Sequence, residues 1–105
     1  QCGEAVMDAI FPYSRDHLAY PDLLAAGYEP HKVDEVWLAG AEDSNYKSDI
    51  TATFDLKINA IKCHKSQLGD DFTERLDRLQ ARASAAAEGE QFLMAEAFRR
   101  IEIPW

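Results

Sequence analysis

Apolar residues recur at helical spacing from the start of the chain, with Cys2, Ala5, Val6, Ala9, Ile10 and Tyr13 falling on one face. No capping residue stands ahead of this rhythm, so the reading is of a helix entered in mid-pattern, as at a truncated start. Pro12 removes a backbone donor and disfavours helix in its predecessor, which predicts an end or a kink near Phe11. Residues 14–32 contain Pro21, Gly27 and Pro30 and read as a long connection with one short helical turn at 21–26. Connections of that length in compact domains are often functional. Residues 33–39 alternate weakly around Val36, Trp37 and Leu38, which suits a strand, and 40–48 read as a polar loop centred on Asn45.

Residues 49–51, Asp-Ile-Thr, read as a short strand running into a helix, with Thr51 placed to cap it. Phe54, Ile58, Ile61 and Lys65 then follow at helical spacing, and Leu56, Ala60 and Cys63 are expected to widen the apolar face. Gly69 is the expected stop. A second helix is expected from Asp71, whose side chain can cap while Glu74 reaches back to it. Its stripe is Phe72, Leu76, Leu79, Ala83 and Ala86, and Glu74 with Arg78 forms a favourable pair one turn apart. After Gly89, residues 92–100 fit helix and strand about equally. Ile101 and Ile103, alternating with Arg100 and Glu102, tilt the end toward strand. The predicted order is helix, long loop, strand, strand, helix, helix and terminal strand, an α/β chain.

At 105 residues the chain holds one domain at most. Its hydrophobic content of 47%, with five Phe, four Tyr and two Trp, argues for packing and against disorder. Nineteen acidic against eleven basic residues give a net charge of −8, which disfavours contact with polyanions. Nucleic acid is therefore excluded as a partner, because phosphate binding needs clustered cations. The densest basic stretch, Lys62, Lys65, Arg75, Arg78 and Arg82, is diluted by Asp70, Asp71, Glu74 and Asp77 and reads as a solvated helix surface. Only Cys2 and Cys63 are present, without CxxC, so neither a disulfide framework nor a cysteine zinc site is indicated and a cytoplasmic location is expected. No apolar run approaches the ~20 residues of a membrane span.

The segment Asp49-Ile50-Thr51, the helix DLKINAIKC and the tetrad His64-x-Ser66-Gln67 come in an order that resembles the C-terminal half of the LmbE-like, or PIG-L, zinc de-N-acetylases. The upstream GYEPHKVDEVWL and terminal MAEAFRRIEIP segments share in the resemblance, as does Phe11-Pro12-Tyr13-Ser14-Arg15-Asp16 ahead of Tyr20-Pro21-Asp22-Leu23-Leu24. It covers nearly the whole chain. The resemblance implies a Rossmann-like α/β fold, of which residues 1–105 would be one partial domain with the N-terminal metal-binding half absent. The implied activity is hydrolysis of an N-acetyl amide on an amino sugar or related glycoconjugate. The family holds its zinc with His-Pro-Asp-Asp-Glu and His-x-Asp-His segments, and neither occurs here. No zinc is therefore expected on this chain alone, since a catalytic zinc needs three protein ligands and an open position for water. The implied partners are the missing half or further copies of the chain, with an N-acetylated sugar-type substrate in the intact enzyme. The coding sequence directly ahead of Gln1 is expected to read His-x-Asp-His. The rival expectation is a noncatalytic interaction or oligomerisation domain that keeps the scaffold.

Five residues are candidates for a supporting or substrate-side role. His64, Ser66 and Gln67 offer donors and acceptors suited to a sugar, or else satisfy main-chain groups at a helix end. His31 lies in the long connection, where binding residues concentrate, as does His17; a lone loop histidine is more often simply solvated. Glu96, in an apolar neighbourhood between Ala95 and Ala97, is expected either to pair with His64 or an arginine or to be exposed on an edge strand. Cys63 reads as a buried structural thiol, because neighbouring helical residues such as His64 point ~100° away and form no dyad. Trp37 and Trp105 read as packing residues.

Overall fold

The computed structural model describes residues 1–69 and 72–105. The elements are α1 (Cys2–Asp8), α2 (Pro21–Ala25), β1 (Glu35–Ala39), β2 (Tyr46–Asp49), α3 (Phe54–Lys62), α4 (Lys65–Leu68), α5 (Phe72–Ala86) and β3 (Ala95–Glu102). This is a mixed α/β chain whose strands form one sheet in the order β1-β3-β2. β2 and β3 are antiparallel, with Tyr46 opposite Phe98 and Asp49 opposite Ala95. Among the described residues no helix is long and apolar enough to cross a membrane. The chain divides into two compact units, Gln1–Val36 with Ile101–Trp105, and Trp37–Arg100.

In the first unit, helical geometry persists past α1 into a wider π-type turn over Ala9–Tyr13 and breaks at Phe11, whose φ of −153° and ψ of 126° are extended. The Phe11–Pro12 peptide bond is cis. The break falls where a proline forbids a regular helix. The apolar face expected of α1 is not covered: Cys2, Ala5 and Val6 are exposed and the helix has no buried residue. Pro21 opens α2 at its first turn, where its missing N–H costs nothing. The terminal residues tie back to this unit, with the Ile103 N–H donating to the Asp34 carbonyl at 2.9 Å and Trp105 Nε1 donating to the Val33 carbonyl at 2.8 Å. Trp105 also packs its ring 5.9 Å from that of Phe11, with the Arg15 guanidinium over it at 5.8 Å.

In the second unit, β2 begins at Tyr46, so the polar loop is shorter than the sequence implied. Asn45 explains the early start. Its side chain donates to the Arg100 carbonyl at 3.0 Å and accepts the Arg100 N–H at 2.7 Å, which satisfies the main chain of the central strand where β2 begins. Phe54, Ile58 and Ala83 form the buried core, with Ile50, Phe72, Leu76, Leu79 and Met94 half-buried around it. The α5 stripe read from the sequence therefore faces the core; the expected cap at Asp71 lies outside the described residues. Leu56, Ala60 and Cys63 are exposed, so the apolar face of α3 is narrower than expected. At ~100° per residue, Leu56 and Cys63 fall on the side of α3 opposite the Phe54–Ile58 line, which accounts for their exposure. Residues 95–102 resolve as strand, and β3 is central in the sheet, not an edge. Trp37, Tyr46 and Phe98 form an aromatic row, with centroids 4.8 Å (Trp37 to Tyr46) and 5.4 Å (Trp37 to Phe98) apart.

Candidate functional site

Within Asp-Ile-Thr, Asp49 is the last residue of β2, whereas Thr51 stands in a turn and does not cap α3. Asp49 Oδ1 accepts the Thr51 N–H at 3.0 Å and the Thr51 hydroxyl at 2.7 Å, an Asx-type turn that closes the end of β2. These bonds hold the Asp49 carboxyl below the usual aspartate range, the hydroxyl contributing most and the main-chain N–H next. The Thr51 oxygen also accepts the Met94 N–H at 3.2 Å, and the Ile50 N–H donates to the Met94 carbonyl at 3.0 Å. The turn is thus stitched to the chain entering the central strand. The N-cap of α3 is Thr53, two residues later than expected, and no side chain caps it.

His64 marks a break between two helices. With φ −86° and ψ 59° it ends the α3 geometry, and α4 is a separate single turn closed by Gly69 at φ 62°. The expected glycine stop therefore stands, one short helix further on, where positive φ favours glycine. The His64 N–H donates to the Ile61 carbonyl and its carbonyl accepts the Gln67 N–H, each at 3.0 Å. Its imidazole is exposed, as are the Ser66 and Gln67 side chains. Among the described residues, none of these three side chains takes part in a hydrogen bond. The backbone of the tetrad is structural, while its side chains are exposed.

Glu96 pairs with Lys57 on α3, in place of His64 or an arginine. Both side chains are half-exposed and help line a hollow of about 320 Å³ with Arg82 and Phe98. Lys57 was not singled out in the sequence; it lies one residue from the Ile58 line and turns toward β3. Cys63 is exposed, its thiol 3.4 Å from the Asn59 carbonyl, which corrects the buried expectation.

In the first unit, the long connection folds into a cleft of about 490 Å³. Its ends are clasped: the His31 N–H donates to the Ser14 carbonyl at 2.8 Å, and Ser14 Oγ donates to the Ile10 carbonyl at 2.9 Å and reaches the His31 carbonyl at 3.5 Å. Asp16 Oδ1 accepts the Leu18 N–H at 2.8 Å and fixes the turn behind it. His17 and His31 both line this cleft. So do Tyr13, Tyr20 and Tyr28, which recur every seven or eight residues and were not among the candidate site residues.

Zinc chemistry needs three converging donors. Among the described residues, no three His, Cys, Asp or Glu side chains converge so as to hold a metal ion. No family profile, curated protein or solved structure matches the chain.

Proposed function

We propose that the chain is the C-terminal segment of a zinc-dependent N-deacetylase of the LmbE-like, PIG-L kind, acting on an N-acetylated amino sugar or related glycoconjugate. The observation that carries the reading is the run from Asp49 to Gln67: a stitched Asx-type turn, a helix, and a main-chain-anchored tetrad with exposed side chains. A fixed backbone presenting an imidazole, a hydroxyl and an amide to solvent is what a polar substrate needs for oriented contact. The same resemblance assigns the segment 14–32, which forms a cleft of its own in the first unit, a substrate-side role. The metal, the activated water and the general base belong to the His-Pro-Asp-Asp-Glu and His-x-Asp-His segments of the family, not to these residues.

The test is acetate release from N-acetylglucosamine conjugates by a polypeptide that joins this chain to those segments, supplied with zinc. Turnover that falls in His64→Ala while the melting temperature holds would place the imidazole on the substrate. Absence of any acetate release by the unmutated polypeptide overturns the reading.

A second reading, a noncatalytic interaction or oligomerisation domain on the same scaffold, draws on the exposure of Val6, Met7, Leu56 and Leu93. Apolar side chains left open in this way mark interfaces. A cooperative, monodisperse multimer without acetate release from the joined polypeptide would favour it.

A further inference from the structure

The cleft of the first unit combines three features. Tyr13 and Tyr20 stand edge to face with centroids 6.1 Å apart, and each is about half exposed, at 49% and 50%. Tyr28, at 69%, adds a third ring to the lining. Their faces are not used up by core packing. Asp16 and Glu29 line the same space, while among the described residues no lysine or arginine does; the nearby Arg15 is held over the Trp105 ring instead. Beside the imidazoles of His17 and His31, the two carboxylates make the fixed charge on the walls negative, and the apolar lining joins the three rings to Ala5, Ala9, Leu23, Leu24 and Pro30.

Tyrosine faces carry negative potential and attract cations, most strongly when carboxylates add a long-range field and the cation is large and weakly hydrated. A compact inorganic ion holds its water too tightly to exchange it for phenol faces. A free anion would meet the two carboxylates. A volume of about 490 Å³ is of ligand size, within the range of small-molecule sites. We infer that this cleft binds a small organic cation, a quaternary or alkyl ammonium, with Tyr13, Tyr20 and Tyr28 as the aromatic cage and Asp16 and Glu29 as the counter-charge. The segment is the one the functional reading places on the substrate side, but the inference rests on the cleft's own lining. Its test involves no turnover, so failure here leaves the acetate assay to decide the enzymatic reading.

The experiment is calorimetric titration of the full chain, at neutral pH and low salt, with choline and with its neutral isostere in which carbon replaces the quaternary nitrogen. The two probes share shape and differ in charge. Choline is expected to bind about tenfold or more tightly than the isostere, a preference that shrinks as salt is raised. The double variant Asp16→Asn with Glu29→Gln keeps the acceptor for the Leu18 N–H and is expected to lose most of that preference. Tyr28→Leu, at an exposed position that the fold tolerates, is expected to weaken choline about threefold or more while leaving the melting temperature in place. Equal affinity for the two probes, no measurable choline binding, or an undiminished preference in the folded double variant would each overturn the inference.

Discussion

Truncating Phe54 tests the core of the second unit most directly. The ring is 4% exposed and packs with Ile58 and Ala83, while Phe72, Leu76, Leu79 and Met94 around it are only partly covered. Phe→Ala in a core costs about 3–5 kcal/mol, the spread reflecting how far neighbours collapse into the space. Partly exposed neighbours can relax, so the expected cost lies near the lower end, about 3 kcal/mol. Against a total stability of about 5–15 kcal/mol for an ordinary domain, that is a large share. At a denaturant slope of about 2 kcal/mol per molar, it moves the urea midpoint down by roughly 1.5 M. Urea unfolding of the full chain, followed by far-UV circular dichroism, reads the shift. Leu56→Ala is the comparison: it lies on the same helix, is the same kind of truncation, and Leu56 is 67% exposed. It should change stability by less than about 0.5 kcal/mol. Equal midpoint shifts for the two variants would refute the placement of the α3 core face.

Three further outcomes are expected. Thr51→Val removes the hydroxyl that chiefly holds the Asp49 carboxyl down, so the Asp49 pKa should rise toward the ordinary aspartate value in a carbon-detected NMR titration. Because the folded carboxyl titrates below the unfolded one, its contribution to stability is full above the ordinary aspartate range and fades as pH falls through the depressed value. The gap in stability between wild type and Thr51→Val should therefore narrow in acid; a gap that widens there contradicts the Asx-type turn. Lys57→Met should cost less than about 1 kcal/mol, since both partners of the Lys57–Glu96 pair remain half-exposed and solvent screens them; a double-mutant cycle with Glu96→Gln giving a coupling of several kcal/mol would show the pair to be far more sheltered. In a Cys2→Ser background, Cys63 should react with a thiol reagent in native protein at a rate close to that of the unfolded chain, and strong native protection would restore the buried-thiol expectation.

Much of this architecture was legible because it follows from local rules. Pro12 breaks a helix wherever it stands, Pro21 starts one, and the stripe from Phe72 to Ala86 has a period that only one face can satisfy. What escaped the sequence depends on neighbours. The angle of Leu56 and Cys63, about 180° from the Phe54 position on α3, was in the sequence; that nothing among the described residues covers that side was not. The Asp49–Thr51 pair could serve as a cap or as a turn. Met94, distant in sequence, helps decide it by donating its N–H to the threonine oxygen. Glu96 found Lys57 because the sheet order puts β3 in the middle, a fact of topology that no spacing within residues 92–100 contains. The tyrosines of the cleft were visible as residues, but that they line one space emerges only when Ser14 and His31 close the connection.

That closure is made largely by main-chain atoms, with a single hydroxyl in support. A latch built this way is nearly indifferent to what it encloses: Leu18, 85% exposed at the tip, could be exchanged or the stretch around it lengthened without disturbing either anchor. Chemical taste in this part of the molecule can therefore drift over evolutionary time, or be rewritten by grafting, while the frame that carries it stays the same.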